Sequence, residues 1–390
     1  MSNITLFSQI ISKLDRRKFS ALVEEKQSDK HNKGFNSWTH LVPMLFCQFA
    51  KSQSVRDISN GLRSATGNLN HLGIDKAPSK STISYQNKHR PWELFRDYYF
   101  SLLESLGQQA RFKQVKFKIK SKIFLLDSTT ISLCLSLFDW AKYKTAKGAV
   151  KMHTLLDYDG NLPAYVNITD GKTADNKGAY DVPLLKGSVI VADRFYNDFA
   201  LLNIWDSKGV YFVIRHKGNL QYTTLKENEL PENRHNNILK DEIIELKNTG
   251  PKEKYPKKLR RVALWDDVNG QTIEIITNQL SWTASTIGEL YKSRWQIEIF
   301  FREIKQLLHI KTFIGTTENA VMIQIWTALI TILVLKALRA IAKFNWHLSN
   351  LVAFIRLNIF VKITLQDWLD KPFEEPPQTS TPITIQGILF

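Results

Sequence analysis

The stretch YKSRWQIEIFFREIKQLL, residues 291–308, decides how the rest of the chain is interpreted. Four polar side chains in it stand at offsets of 0, 3, 7 and 14: Tyr291, Arg294, Glu298 and Lys305. At about 100° per residue these offsets fall at about 0, 300, 340 and 320°, so one narrow stripe of a helix would carry all four. The adjoining face is apolar: Ile297, Phe300, Phe301, Ile304, Leu307 and Leu308. The stretch therefore predicts an amphipathic helix that packs on a core and holds a carboxylate among two cations and a phenol.

The simplest interpretation of this stripe is a solvated ion pair. Arg294 and Glu298 are four residues apart, a spacing at which opposite charges stabilise a helix by about 0.2–0.5 kcal/mol. A sharper hypothesis is that Glu298 binds a metal beside phosphodiester oxygens while its three companions hold the phosphates. This hypothesis requires two more carboxylates from elsewhere in the chain.

The charge of the chain favours a polyanionic partner. Its 390 residues carry 53 Lys and Arg against 37 Asp and Glu, a net charge of +16, and a hydrophobic content of 43% is enough for a large folded core. Residues 1–126 contain 21 of these cations and nine of the anions, so +12 of the surplus lies in the first third. Because cationic side chains release counterions from nucleic acid, nucleic acid is the first candidate partner and an anionic membrane surface the second.

Cysteine use and hydropathy indicate a cytoplasmic protein. Cys47 and Cys134 are the only cysteines, and they lie far apart and outside any zinc-ligand spacing, which is typical of a reduced compartment. The first residues have no basic segment ahead of an apolar stretch, so no export signal is predicted. The longest uncharged apolar run, residues 320–335, is shorter than the about 20 residues of a membrane span and predicts a buried helix.

Residues 1–112 are predicted to form a helical DNA-binding domain. Ser54 and Ser79 stand at the starts of the short helical segments SVRDISNGL and SKSTISYQNKHRPWELF, and the break between them is rich in Gly and Asn. Two short helices around a turn favour a helix-turn-helix-like unit. In such a unit the following cations would contact phosphates: Lys88, His89 and Arg90. An ordinary helical bundle with a basic surface is the alternative.

From residue 113 the apolar pattern changes from helix to strand, which predicts an α/β core with a mixed sheet. Strand candidates are KFKIKSKIFLLDSTT, VKMHTLLDYDGNLPAYVNIT, GSVIVAD and VYFVIRHKG, with DFALLNIWDSKG as a helix between the last two. The core covers residues 113–216 and resumes at 282–345 with the Glu298 helix. Residues 217–281 are predicted to be a β-rich insertion with strands RVALW and QTIEIIT. Residues 346–390 are predicted to be a C-terminal helix and a mobile Pro-rich tail.

Two strand ends supply the carboxylates that the stripe needs. FLLDSTT ends an apolar strand at Asp127, and GSVIVAD ends another at Asp193, so both acids are predicted at one edge of the sheet. An acid at a strand end is, taken alone, most often a turn residue or a helix cap. Together with Glu298, the aspartates form a set of hard oxygen ligands for two divalent cations about 3.5–4 Å apart. In this hypothesis the aspartates are shared ligands and Glu298 is the outer one.

The segments FLLDSTT, VADRFYND and YKSRWQIEIFFREIK together resemble the bacterial cut-and-paste insertion-sequence transposases of the DDE type. The resemblance is to the IS-four-like group, which is marked by a Tyr, Arg, Glu and Lys signature. Its spacing of two, three and six intervening residues is met by four positions: Tyr291, Arg294, Glu298 and Lys305. Trp295 after the arginine also matches, and KGAVKMHTLLD resembles the Lys-x-His strand of the group. The resemblance covers about residues 115–340.

This resemblance implies a fold, a cofactor and a reaction. The implied fold is ribonuclease H-like, and the implied cofactor is two Mg²⁺ ions, for which Mn²⁺ can substitute. The implied catalytic residues and metal ligands are Asp127, Asp193 and Glu298. A homodimer in a synaptic complex would bind double-stranded DNA, both terminal inverted repeats and target, and would cut and join strands in the bacterial cytoplasm. The implied DNA-binding residues are Tyr291, Arg294, Lys305, Trp295 and Arg194.

Two features depart from this pattern or go beyond it. Phe195 stands after Arg194, where many members of the group have Gly or Ala. Some members also use a tryptophan of the insertion to receive a flipped base. Trp265 and Trp282 are the candidates for that role here, although a core or surface position is the favoured interpretation of each.

Three other functions are compatible with parts of the pattern. A ribonuclease H-like nuclease would hydrolyse DNA without strand transfer. A non-catalytic DNA-binding regulator descended from such an enzyme is disfavoured because Asp127, Asp193 and Glu298 are all present. A basic membrane-surface protein is disfavoured because the sequence has no lipid-binding amphipathic helix.

Overall fold

A ten-stranded mixed sheet forms the centre of the protein. The protein is seen in a computed structural model that describes residues 3–32, 34–65, 67–107, 117, 119–133, 142–144, 147–216, 218–230, 237–307 and 313–374. Several residues of the sequence analysis lie outside this set: Cys134, Leu308 and the Pro-rich tail from residue 375 onward. The side chain of Leu307 is likewise not described.

The sheet has a parallel centre with antiparallel strands on both sides. Its strands are β1 Ile123–Leu133, β2 Lys142–Lys144, β3 Lys147–Asp157, β4 Leu162–Asp170, β5 Val189–Ala192, β6 Tyr211–Arg215, β7 Tyr222–Glu227, β8 Ile238–Leu246, β9 Leu259–Asp266 and β10 Gln271–Thr277. Their order is β2-β3-β1-β5-β6-β10-β9-β8-β7, with β4 paired to β3. β1, β5 and β6 are parallel, and the other described pairs are antiparallel, which confirms the predicted mixed sheet.

Asp127 lies inside β1 rather than at its carboxyl end, which corrects the prediction from the sequence. The parallel pairing of β1 with β5 ends where Leu126 lies opposite Ala192, but the antiparallel pairing with β3 continues to Leu133. The threonines and isoleucine that follow Asp127 favour this continued strand because β-branched side chains pack well on a pleated surface. Asp193 does follow the end of β5, so each aspartate comes directly after the parallel ladder.

Helices cover both faces of the parallel strands. The helices of this part are α7 Asp175–Ala179, α8 Phe199–Ser207, α9 Thr249–Lys254, α10 Ala284–Ser293, α11 Trp295–Leu307 and α12 Glu318–Ile341. Successive residues of β5 enter different apolar clusters, because side chains alternate across a strand. Ile190 joins the cluster that contains α8, while Val191 joins the cluster that contains α10, α11 and α12. The core is therefore a sheet between two helical layers.

Residues 291–308 do not form one continuous helix, and this also corrects the prediction. Arg294 separates α10 from α11. The backbone N–H of Arg294 donates to the Tyr291 carbonyl at 3.1 Å, and the N–H of Ile297 donates to the Arg294 carbonyl at 3.1 Å. The chain thus tightens to i,i+3 hydrogen bonding at the junction. Tyr291 lies on one helix and Glu298 on the next.

The insertion contributes four strands where the sequence predicted two. β10 pairs with β6, and β9, β8 and β7 follow outward, so the insertion extends the central sheet. The insertion contains a basic run, KEKYPKKLRR, and its last two residues, Arg260 and Arg261, are buried. Arg260 pairs with the buried Asp241 at 2.7 Å, and Arg261 pairs with Glu274 at 2.6 Å. These two cations are therefore paired with acids inside the insertion instead of facing a ligand.

The amino-terminal part is helical, as predicted. Its helices are α1 Leu6–Ile11, α2 Arg16–Glu25, α3 Ser37–Ala50, α4 Val55–Ser64, α5 Lys80–His89 and α6 Glu93–Gly107. The Ser54 hydroxyl accepts the Asp57 N–H at 3.1 Å, and the Ser79 hydroxyl accepts the Thr82 N–H at 3.1 Å. Both serines are therefore the helix caps that the sequence indicated. The connection between α4 and α5, residues 65–79, is longer than the three or four residues of a standard helix-turn-helix.

α12 joins the amino-terminal helices to the rest of the protein. It packs on α3, α5, α6 and α11, and on α13 Leu348–Leu357, which precedes α14 Leu365–Asp370. It is the one helix in the described ranges that is long and apolar enough to cross a membrane, and 94% of its most apolar window is buried inside the protein. The buried helix predicted at residues 320–335 is thereby confirmed. Helices from residues 1–112 and 282–345 share one apolar core. The predicted division of the chain into separate domains stays a prediction.

Candidate active site

Asp127 and Asp193 lie side by side because of the parallel register of β1 and β5. They follow Leu126 and Ala192, which face each other in that ladder. The Asp127 carboxylate accepts the N–H of Ser128 at 2.8 Å. Asp193 caps a short 3-10 helix, Arg194–Tyr196. The chain therefore holds both carboxylates by backbone hydrogen bonds as well as by strand position.

The Arg294 guanidinium lies among three carboxylates. Its Nη2 is 2.6 Å from Glu298 Oε1, while its Nη1 is 3.6 Å from Asp127 Oδ2 and 4.0 Å from Asp193 Oδ2. Glu298 is in the first turn of α11, and α11 packs against β1. Glu298 thus reaches the aspartates from the helix layer, although on the opposite side of the guanidinium.

These groups line one cleft of about 650 Å³. Its walls come from β1, from the end of β5 and from α11, together with side chains of β3 and α7. The lining residues are Asp127, Ser128, Thr129, Thr130, Lys151, Asp175, Asp193, Phe195, Arg294, Glu298, Phe301, Arg302, Lys305 and Gln306. The cleft therefore contains all three of the predicted acids and two of the predicted cations.

The electrostatics of the cleft favour a cation beside Asp127. Burial raises the pKa of Asp127 to about 7, and the nearby Asp193 and Asp175 add to this, against the Ser128 N–H and Arg294, which lower it. Burial disfavours the charged guanidinium of Arg294, yet its neighbours Tyr291, Glu298 and Asp127 prevail and raise its pKa. The Asp127 carboxylate therefore lacks enough neighbouring positive charge in the protein to offset its burial.

Asp175 is a fourth acid of the cleft that the sequence analysis missed. Its carboxylate accepts a short hydrogen bond from the Ser128 hydroxyl, next to Asp127, and one from Lys151 Nζ at 3.1 Å. Lys151 Nζ also donates to the Thr173 carbonyl at 2.7 Å. The signal was weak, because Asp175 lies in a short polar segment with no apolar strand before it. Only the Lys-x-His strand, which contains Lys151, pointed to this side of the cleft.

His153, the other member of the Lys-x-His pair, supports the cleft from behind. It is buried, and its Nε2 lies 3.1 Å from the Thr169 hydroxyl. Gly178 of α7 lies directly against its ring, since a Cβ at that position would be 2.4 Å from Nδ1. The glycine therefore lets α7, and with it Asp175, pack closely on β3.

The three companions of Glu298 occupy different depths. Tyr291 is buried and does not line the cleft, and the Arg294 guanidinium lies 5.9 Å from the centre of its ring. Arg294 is mostly buried at the centre of the cleft, whereas Lys305 is exposed at its rim. Arg302, which the sequence analysis did not select, lies on the same rim. Along the predicted stripe, exposure to solvent therefore increases from Tyr291 through Arg294 to Lys305.

Four other predicted side chains do not line the cleft. Trp295 is 57% exposed at the start of α11, and Arg194 is exposed with its guanidinium 5.5 Å from the Phe195 ring centre. In the insertion, Trp265 is partly exposed on β9. Trp282 packs beside Tyr211, with ring centres 5.8 Å apart. Trp265 and Trp282 thus have the surface and packing positions that the sequence favoured for them, and the DNA-binding role of Trp295 stays a prediction.

The acids of the cleft are of the type that binds divalent cations, but their side chains are not arranged around one common point. Within the described ranges, no three Asp, Glu, His or Cys side chains converge on one point. The guanidinium of Arg294 lies between Glu298 and the aspartates. Carboxylate oxygens are the ligands that Mg²⁺ prefers, so the donor set fits a hard cation, and Arg294 competes for the same oxygens.

In the amino-terminal part, α5 presents a basic surface. Its exposed residues share one side of the helix: Lys80, Ser81, Ser84, Tyr85, Lys88 and His89. Arg90, predicted as a phosphate contact, is instead buried and donates to the carbonyls of Asn36 at 2.9 Å and Phe35 at 3.0 Å. The prediction for Arg90 is therefore wrong, because the two terminal nitrogens of its guanidinium donate to carbonyls just before α3 and tie the end of α5 to that segment.

Comparison with known families identifies two parts of the chain. Residues 118–334 match the family described as Transposase DDE domain. Residues 2–75 match a family described as a domain of unknown function, DUF4372. The first match covers more than half of the chain and includes every residue that lines the cleft.

Curated proteins are similar over most of the chain. A probable transposase for insertion sequence element IS5377 of Geobacillus stearothermophilus is 29% identical over 289 residues, 74% of each chain. The putative transposase y4zB of Sinorhizobium fredii is 29% identical over 262 residues, 67% of this chain and 71% of that protein. A putative transposase for insertion sequence element IS4SA of Synechocystis is 25% identical over 292 residues, 74% of this chain and 80% of that protein.

Proposed function

The chain belongs to the family of insertion-sequence transposases with a DDE domain, and we propose that it moves its own element by cut-and-paste transposition. In this proposal it binds the terminal inverted repeats, cleaves DNA strands there and joins the freed ends to target DNA. The observation that carries the proposal is that Asp127, Asp193 and Glu298 lie in one cleft, each within 4.0 Å of the Arg294 guanidinium. A surface ion pair would need only one of these acids.

The strand topology supports a ribonuclease H-like core. β4, β3, β1, β5 and β6 form a five-stranded unit in that order, with β1, β5 and β6 parallel and helices on both faces. In this unit the first strand along the chain is central, and its Asp127 lies next to the residue that follows β5. Such an arrangement brings distant carboxylates together on a rigid sheet.

We assign the binding of two Mg²⁺ ions to Asp127, Asp193 and Glu298. When bound, such ions activate an attacking water or hydroxyl and stabilise the leaving oxygen. The chain's own part is to hold the carboxylates still. Backbone N–H groups of Ser128 and Phe195 orient the two aspartates, at 2.8 and 3.2 Å.

Arg294, Lys305 and Tyr291 are the proposed phosphate-binding group. The Arg294 guanidinium presents paired N–H donors, which suit two oxygens of one phosphate as well as they suit a carboxylate. It lies beside all three carboxylates, so a phosphate bound to it would be close to the proposed metal ligands. The Tyr291 ring lies against the Arg294 guanidinium, and Lys305 adds a second cation to the cleft from α11. We propose that the guanidinium exchanges Glu298 for phosphate when DNA binds.

The amino-terminal helices are the proposed DNA-binding domain. The exposed face of α5 offers two lysines and a histidine beside polar side chains, a composition that suits contacts in a DNA groove. The two inverted repeats of an element are related by twofold symmetry, which a homodimer would match. We therefore propose that a dimer holds both ends in one complex.

The test is strand cleavage on linear DNA that carries the terminal repeats of the element, with Mg²⁺ or Mn²⁺ added. Wild type should nick at the repeat ends and, with a target plasmid present, give joined product. Glu298→Gln should bind the same DNA but lose cleavage by at least about 10³-fold, because one ligand oxygen is lost. Normal cleavage by this variant would refute the assignment. Cleavage by wild type without joined product would identify a nuclease instead.

A further inference from the structure

Phe195 is an exposed aromatic ring beside the acid cluster. Its side chain is 57% exposed, although it comes only two residues after Asp193. On one side it lines the candidate active cleft, and on the other it lines a second cleft of about 560 Å³. Lys151 and Asp175 also line both, so the two clefts adjoin at this ring. A ring exposed to water at such a junction has apolar surface available to a ligand.

Backbone hydrogen bonding fixes the main chain of Phe195 next to Asp193. The N–H of Phe195 donates to Asp193 Oδ1 at 3.2 Å, and the next residue, Tyr196, is buried in the core. The Arg194 guanidinium lies over the ring, 5.5 Å from its centre. Phe195 therefore has one face against a cation and its other face available to a ligand at the edge of the candidate catalytic site.

The second cleft has a mixed lining of lysines, acids, asparagines and apolar side chains, and it runs toward the insertion. Lys254 of α9 lines it, as do Asn176 and Asn197. The Asn197 side-chain oxygen is buried and has no hydrogen-bond partner in the described structure. Two acids also line this cleft, but both are engaged within the protein: Asp175 by Ser128 and Lys151, and Asp198 by Asn176 and Tyr180. Lys254 and Phe195 are the exposed cation and the exposed aromatic ring of this cleft.

We propose that Phe195 stacks on the base of the nucleotide next to the cleaved phosphate, and that the second cleft receives the DNA strand beyond it. This inference rests on the proposed function, because the phosphate at the acids sets where the neighbouring base lies. A base can stack on the ring only if it is free of its own neighbour on that face, so the DNA is unstacked at this step. A nucleotide strand offers a base to Phe195 and phosphates to Lys254.

The test compares binding of intact DNA with binding of DNA that lacks one base. Full-length Glu298→Gln protein, which does not cut, is titrated with labelled terminal-repeat DNA, and anisotropy gives the dissociation constant. A second set of DNAs is abasic at one or the other nucleotide beside the cut. When Phe195→Ala is combined with Glu298→Gln, binding of intact DNA should weaken by about 5- to 100-fold. On the DNA that lacks the stacked base, the same substitution should change binding by less than about twofold. Adding Phe195→Trp should preserve binding of intact DNA.

Phe373→Ala is the matched control, because Phe373 is 68% exposed and lies outside both clefts. It should leave every dissociation constant unchanged. Equal losses from Phe195→Ala on intact and abasic DNAs, or a loss of binding with Phe195→Trp as well, would overturn the stacking contact. A change in oligomeric state with Phe195→Ala would overturn it too and would assign the ring to a second copy of the chain. If wild type neither binds nor cuts terminal-repeat DNA, the proposed function itself has failed.

Discussion

Arg294 and Glu298 form the closest ion pair of the candidate active site, with Nη2 and Oε1 2.6 Å apart. The pair is more than an i,i+4 contact on a helix surface, because the other end of the same guanidinium is 3.6 Å from Asp127. The arginine thus serves as the counter-ion of the acid cluster. Any cation that binds these carboxylates competes with it, and any phosphate that binds the arginine releases Glu298.

Replacing Arg294 should make the protein more dependent on divalent cations. Without Mg²⁺, Arg294→Ala leaves three neighbouring carboxylates uncompensated and should lower the free energy of unfolding by about 1–3 kcal/mol. Saturating Mg²⁺ should then raise Tm by at least about 2 °C more in the variant than in wild type. Thermal melting with EDTA and with Mg²⁺ measures both effects. Arg302→Ala, on the rim of the same cleft, is the control, and an equal Mg²⁺ response in all three proteins would contradict the competition.

Asp127→Asn should stabilise the metal-free protein while it abolishes cleavage. Burial raises the pKa of Asp127 to about 7, above the about 3.9 of an unfolded chain. The folded protein therefore holds this proton more tightly, and the stability due to it is present below pH 4 and is lost as pH rises through 7. In EDTA at pH 8 the variant should be more stable by about 1–3 kcal/mol, and the difference should vanish near pH 4. Urea unfolding across this range is the measurement, with the exposed Asp75→Asn as control. A constant difference at every pH would count against it.

Gly178→Ala should disturb the cleft from behind. Its new Cβ would lie 2.4 Å from His153 Nδ1, so α7 must move away from β3 at a cost of about 1–3 kcal/mol. Gly250→Ala, in the helix α9 with nothing within 4 Å of its Cβ, should cost almost nothing. Urea unfolding compares the two. Because α7 carries Asp175, cleavage by Gly178→Ala should fall as well, and an unaffected stability would show that the contact is not tight in solution.

Lys88→Ala should weaken DNA binding in a manner that depends on salt and not on sequence. A lysine that contacts one phosphate contributes about one released counterion, so the slope of log K against log salt should shrink by about 1. Anisotropy titrations at several salt concentrations give this slope. Lys371, which pairs with Glu374 at 3.0 Å, supplies the control variant Lys371→Ala. An unchanged slope for Lys88→Ala would remove α5 from the DNA-binding surface.

Much of the fold could be predicted because local patterns are strong in this chain. Alternating and continuous apolar runs marked most strands of the core, and serines marked the starts of α4 and α5. The errors have common causes. β1 continues past Asp127 because β3 pairs with it there, and Arg90 is buried because carbonyls of a distant loop receive its donors. Neither partner is visible in the neighbouring sequence.

By itself, the sequence determined which residue types were available and where the apolar faces lie. Spacing alone related Arg294 to Glu298, because both lie within one helical turn of each other. The meeting of Glu298 with Asp127 and Asp193 was decided by the parallel register of β1 and β5 and by the packing of α11 on β1. Asp175 entered the cleft only because Gly178 lets α7 approach His153. Contacts between residues far apart in the chain depend on how its layers pack, and no local pattern contains that information.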